Sequence, residues 1–206
     1  QVENDPAYTV YLMEGVQPKS SYDYRKGHWV TFDKWPNQSL TKILHINENS
    51  TLGEEKGYCK TVLFSPQTCG LDGGEYCAIW LGPELPGDQR TDDGQSASFT
   101  TGELSNQVDI VGAPTVKLKL KSYTSTAQIA VRLNHVHPDG ASTRITYGVF
   151  NLGHMDGHDK PRELKIGETI ELAFDLDQIA YRILKGHKIR LSISNAYWPL
   201  LWPMPE

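Results

Sequence analysis

"AQIAVRLNHVHPDGASTRITYGVFNL" (residues 127–152) decides the fold. Its first half alternates, with Ile129, Val131 and Leu133 falling on one face, as a half-buried strand requires. "HPDG" then supplies Pro138 to pre-set φ, Asp139 to tolerate turn geometry and Gly140 to adopt positive φ, so it closes a hairpin onto the strand that follows. His135 and His137 share a face beside Asp139. They fit a metal or catalytic site, or they simply end a strand with hydrogen bonds to turn backbone.

The same period extends outward. "APTVKLKLKSY" (113–123) sets Val116, Leu118 and Leu120 inward and Lys117, Lys119 and Lys121 toward solvent, with Pro114 opening the strand. "GETIELAFDL" (167–176) turns in Ile170, Leu172, Phe174 and Leu176; "HKIRLSIS" (187–194) turns in Ile189, Leu191 and Ile193. "DLDQIAYRILKG" (175–186) reads as a strand running into a second hairpin at "LKGHK", with Gly186 at its tip. Before residue 80, "AYTVYLME", "LTKILHINE" and "KTVLFS" read as strands, and "NENSTLGEEKG" and "SPQTCGLDGGEY" as loops. Short strands at this spacing predict an all-β, mainly antiparallel sandwich or barrel. No repeat or linker argues for a domain cut, so residues 1–206 read as one domain, irregular over 1–84.

Composition excludes several functions. The 206 residues carry a net charge of -5 and no basic cluster, which argues against nucleic acid. No apolar run approaches the roughly 20 residues of a membrane span. Cys59, Cys69 and Cys77 match no redox or zinc spacing, and reduced thiols in a cytoplasmic protein are the expectation; a Cys69–Cys77 bridge stays open for an exported chain. Absence of a signal peptide points the same way. A start at Gln1 and an end at Glu206 suggest a piece of a longer polypeptide.

Motifs for catalysis are missing: "GQSAS" and "GASTR" lack the second glycine of G-x-S-x-G, and there is no Walker A loop, GxGxxG or HExxH. His154 and His158 in "HMDGH" add two imidazoles to His135 and His137, yet fall in a loop; the simpler expectation is that they are solvated. "DQRTDDGQ" (88–95) can hold calcium or make structural bonds. Trp198 and Trp202 in "AYWPLLWPMPE" are either core or a docking patch.

"LPGDQRTDDGQSASFTTGELSNQVDIVGAPTVKLKL" (85–120), "VHPDGASTRITYGVFNL" (136–152) and "AYRILKGHKIRLSISNAYWP" (180–199) together resemble the C-terminal non-catalytic domain of the X-Pro dipeptidyl-peptidase and cocaine esterase family of serine hydrolases. "YLMEGVQP", "GHWVTFDKWP" and "LFSPQTCGLDGGEY" are similar to its lead-in. The resemblance implies a jelly-roll β-sandwich of the galactose-binding-like type, with structural motif residues Asp88, Gln89, Arg90, Pro138, Asp139, Gly140, Gly186, His187 and Arg190. It implies that the catalytic triad lies in a separate α/β-hydrolase domain, so this chain alone is inactive and has no catalytic residue, metal or cofactor. Its partners would be the α/β-hydrolase and cap domains of the same polypeptide, with a homodimer through the docking face as a further expectation. Ile79, Trp80 and Leu81 would line the substrate cleft. Where the family commonly has Asp before V-x-P-D-G, this chain has His135, which puts any charge network carried by that acid in question. The competing readings are a carbohydrate-binding jelly roll using Tyr and Trp faces and, more remotely, a metalloenzyme built on the histidines.

Overall fold

The computed structural model describes residues 5–35, 41–77, 79, 84–202 and 204. Among them are twelve strands and one short α-helix. In chain order these are β1 (Tyr8–Glu14), β2 (Gly27–Phe32), β3 (His45–Asn47), β4 (Thr51–Gly53), α1 (Arg90–Gly94), β5 (Ala97–Thr100), β6 (Val108–Gly112), β7 (Thr115–Lys121), β8 (Gln128–Val136), β9 (Ser142–Asn151), β10 (Thr169–Asp175), β11 (Ile179–Ile183) and β12 (Lys188–Ser194). They form a six-stranded sheet β3-β4-β5-β12-β8-β9, a four-stranded sheet β2-β1-β11-β6 and a pair β10-β7. Pairing is antiparallel except for β1 with β11 and β4 with β5. The chain is an all-β sandwich.

Alternation builds the core. Ile129 and Val131 of β8, Leu191 and Ile193 of β12 and Phe99 of β5 join Val116 of β7, Leu172 of β10 and Tyr181 and Ile183 of β11 in one buried cluster. All three sheets thus share an interior, and each such side chain contributes roughly 1.5–3 kcal/mol by leaving water. The irregular lead-in adds Leu52, with Met13, Leu44, Ile46 and Leu63 packed against it. The lysines of β7 are exposed, and Lys119 reaches Glu171 across the β10 pairing at 2.9 Å, an exposed pair that solvent screens and that adds little to stability.

The "HPDG" hairpin forms between β8 and β9. His137 N–H donates to Ala141 O and Gly140 N–H to His137 O, while Asp139 Oδ1 accepts from Ala141 N–H. Gly140 adopts φ +86° and a Cβ there would meet nothing within 4 Å. Gly140→Ala therefore carries backbone strain without a clash; an equilibrium urea titration should show a loss of about 1 kcal/mol. Past the turn, β9 bulges: Leu133 pairs with Thr146 and Asn134 with Arg144, leaving Ile145 as the extra residue.

Four expectations are corrected. "LKGHK" does not close a hairpin: β11 pairs with β6 and β1, whereas β12 pairs with β5 and β8, so the turn at Gly186 carries the chain from one sheet to the other. "KTVLFS" joins no ladder; its Ser65 N–H is taken by the Asn195 side chain at 2.8 Å, which fastens an extended segment without strand pairing. "LTKILHINE" shortens to β3, and its partner β4 lies in the stretch that reads as a loop. Finally, β8 is not half-buried: both its faces are covered, because α1 and the segment around Cys69 and Tyr197 lie over the side that alternation alone assigns to solvent.

Candidate functional site

That covered outer side holds a buried polar network. Residues 88–95, which fit a calcium loop or a set of structural bonds, contain α1, and its two carboxylates are buried. Asp93 Oδ1 accepts from Asn134 Nδ2 (2.7 Å) and Ser192 Oγ (2.8 Å); Oδ2 accepts from Ser142 Oγ (2.7 Å) and Arg190 Nη1 (3.0 Å). The Arg132 guanidinium, fully buried, lies 3.5 Å from Asp93 Oδ1 and 4.5 Å from the centre of the Tyr197 ring. Asp92 Oδ1 accepts from Gly70 N–H at 2.7 Å. Burial pushes the Asp92 carboxyl up, against the opposing pull of that hydrogen bond and of Arg132.

The D-Q-R motif locks this cover in place. Asp88 Oδ1 accepts from the backbone N–H groups of Ser142 and Arg90, and Arg90 returns to Asp88 Oδ2. Gln89 is fully buried; it donates to Asp72 O and accepts from Tyr197 O–H at 2.6 Å. Arg190 also donates to Thr100 Oγ1. Sequence reading singled out neither Arg132 nor Asn134, and it took in Asp92, Asp93 and Tyr197 only as parts of longer stretches with no shared network. The available signal was a run of polar residues at even positions of β8 facing Arg190 and Ser192 across the β12 register.

A second polar group sits at the far end of β8. His135 and His137 are buried and do not bond to turn backbone through their rings. His135 Nδ1 lies 3.0 Å from Tyr181 Oη and its Nε2 lies 2.6 Å from His187 Nδ1. His137 Nε2 lies 2.9 Å from Thr143 Oγ1. Gly15 backs onto the group, where a Cβ would stand 2.7 Å from His135 Cε1. Burial, and the neighbouring His137 and His187, push His135 down to about 3. Burial lowers His137 and His187 as well and raises the Tyr181 hydroxyl. The three rings are therefore neutral at pH 7.

The pairing of His137 with Thr143 is not a nucleophile and base. Thr143 O–H donates to Val16 O at 2.8 Å, so its oxygen accepts from His137 and its one proton is already committed. Both residues are buried.

His187 joins His135 and His137 across 50 residues of sequence, whereas His154 and His158 face each other in an exposed turn, Nδ1 to Nδ1 at 2.8 Å. Pro138 and Asp139 are exposed at the hairpin tip. Ile79 is exposed; Trp80 and Leu81 lie outside the described residues. Cys59, Cys69 and Cys77 are all free. At the C-terminal end Tyr197 is fully buried, while Trp202 is exposed and meets Trp198 edge-on, so that stretch is core at one end and surface at the other.

The family profile described as the X-Pro dipeptidyl-peptidase C-terminal non-catalytic domain matches residues 1–206. The chain is similar to cocaine esterase from Rhodococcus sp. (strain MB1 Bresler), 25% identical over 120 residues, which are 57% of this chain and 21% of that protein. Among solved structures, it is similar to an alpha-amino acid ester hydrolase (TM-score 0.73, 19% identity, 86% of this chain and 33% of that one). An aminopeptidase from the marine sediment archaeon Thaumarchaeota archaeon gives a TM-score of 0.70 at 20% identity, over 86% of this chain and 33% of that one. A CocE/NonD family hydrolase from Staphylococcus aureus gives 0.63 at 12% identity, over 98% and 37%. The chain spans about a fifth of the curated relative and a third of these structures; at such identities the structural likeness shows the fold.

Proposed function

The chain belongs to the family of X-Pro dipeptidyl-peptidase C-terminal non-catalytic domains, and from that premise we propose that it is the accessory sandwich of a serine hydrolase, packed on the α/β-hydrolase and cap domains of the same polypeptide and forming one wall of the substrate cleft. The observation that carries this reading is the distribution of exposed apolar side chains. Among the described residues, ten of fifteen exposed large hydrophobics lie before residue 80, including Trp29, Tyr58, Val62, Phe64, Tyr76 and Ile79. A lead-in that contributes to the core through some side chains and leaves these in water is suited to being covered by a neighbouring domain. The contribution to catalysis is then binding and orientation, in keeping with the committed proton of Thr143 and the structural bonds of Asp92 and Asp93.

Purified alone, the chain should hydrolyse a nitrophenyl ester and an X-Pro anilide only at background rate. Mixed with the separately produced remainder of its polypeptide, it should co-elute on size exclusion, and Val62→Glu with Phe64→Glu should weaken that association. Turnover that persists through repurification sinks the proposal; sugar binding by calorimetry without association would favour a carbohydrate module instead. For the cleft wall, carried by Ile79 with Trp80 and Leu81, Ile79→Asp in the whole polypeptide should raise KM with kcat retained. Unchanged KM would remove Ile79 from the wall.

A further inference from the structure

We propose that His135, His137 and His187 form a binding site for one zinc ion at the edge of the sandwich. Three observations converge on this. The first is placement: the end of β8 and the residue that follows it supply two imidazoles at i and i+2 on one face, and the turn between β11 and β12 brings the third against them. One ring nitrogen from each residue lies within 4.8 Å of the others. Three nitrogens around a tetrahedral zinc, each about 2.0–2.1 Å from the ion, stand roughly 3.3 Å apart. The 2.6 Å between His135 Nε2 and His187 Nδ1 and the 4.8 Å limit bracket that spacing, so small ring rotations satisfy it.

The second observation is that the outer ring nitrogens of two of the three are already held. His137 must present Nε2–H to Thr143, because the Thr143 proton goes to Val16 O, which makes Nδ1 the unprotonated nitrogen of the neutral ring. His135 Nδ1 rests against Tyr181 Oη, which orients the ring and leaves Nε2 pointing at His187. A hydrogen-bonded partner behind each liganding imidazole is the usual support of a histidine metal site. The third is access: His135 is fully buried but His187 is only half-buried, so the group opens to solvent on the turn side. No thiolate lies in the group, and a nitrogen-only set with an open fourth position suits zinc. Such an ion would tie β8 of one sheet to the turn that leads out of the other.

The test uses the whole chain, stripped with a chelator and then desalted. Calorimetric titration with zinc should give one site per chain, and thermal melting should shift upward. Cobalt in place of zinc should produce the visible absorption of tetrahedral coordination without a thiolate charge-transfer band. His187→Ala, at a half-exposed turn and checked for folding by circular dichroism, should weaken binding at least about 100-fold, while the double variant His154→Ala with His158→Ala should leave it unchanged. If His187→Ala does not fold, histidine ring NMR of the unmutated chain decides: zinc should move the resonances of these three residues. No stoichiometric binding, binding indifferent to His187→Ala, or zinc-induced shifts confined to His154 and His158 would overturn the proposal.

Discussion

Asp93→Ala is expected to cost about 3–5 kcal/mol, a large part of the roughly 5–15 kcal/mol that holds a domain folded. The carboxylate is almost wholly buried and accepts from Asn134, Ser142, Ser192 and Arg190, with Arg132 beside it. Its removal leaves the fully buried Arg132 with only Asp92, whose carboxyl burial already pushes up, as a neighbouring acid, and leaves several donors without an acceptor; the cost of stranding those groups exceeds the net worth of the bonds themselves. Asp93→Asn keeps part of the acceptor capacity and should lose less. Replacing Asp93 and Arg132 together with apolar residues, Asp93→Leu with Arg132→Met, should recover part of the loss, because the fully buried cation is gone and Arg190, which loses its partner, is part-exposed. Urea unfolding of the two single variants and the double variant forms a cycle that reads the coupling directly. A loss under about 1 kcal/mol for Asp93→Ala would show that water reaches the network.

The metal-free chain should lose stability steeply in acid. The folded state holds His135 at about 3, well below its ordinary 6.5, so the unfolded chain takes up a proton that the folded chain refuses. Stability from this group is fully present above pH 6.5 and is lost as the pH falls toward 3. The whole window is worth approaching roughly 5 kcal/mol, with about 3 kcal/mol gone by pH 4. His137 and His187, both lowered, act in the same direction. Asp139, whose carboxyl is lowered by the Ala141 N–H and the Gln17 side chain, adds to the loss, whereas Asp92, raised by burial, opposes it. Tyr181, against the same ring, stays protonated throughout this range, and Asp88 supplies a further charge near His137. Unfolding titrations at pH 7, 5.5 and 4 with chelator present should show the slope, and His135→Gln should flatten it. Constant stability from pH 7 to 4 would contradict the burial of these rings as neutral groups.

The strands legible beforehand are those whose two faces differ. Lys117, Lys119 and Lys121 against Val116, Leu118 and Leu120 mark β7 without ambiguity, and Ile170, Leu172 and Phe174 do the same for β10. Alternation fails where both faces are covered: Arg132 and Asn134 read as solvated because period 2 reports only that two faces differ, and it is silent about a helix and loop laid over the polar one. It fails again in "KTVLFS", where the pattern is present but Val62 and Phe64 face outward and no neighbouring strand offers a ladder. The candidate sites divide similarly. "HPDG" acts within a few residues of itself and was readable as a motif, whereas "DQR" stands out as a motif but takes most of its partners, Asp72, Ser142 and Tyr197, from distant sequence. The grouping of His187 with His135 depends on a turn that changes sheets, a long-range event that local spacing cannot encode.

The parallel pairing of β1 with β11, where Met13 faces Tyr181, has a consequence for biogenesis. β1 pairs with the adjacent β2 but meets β11 only after the strands between them have been made, and closing so long a loop slows folding. Until then the β1–β2 hairpin carries an unsatisfied edge, open to any other extended polypeptide. Late arrival of β11 therefore leaves that edge uncapped for longer than any other pairing in the sheet requires.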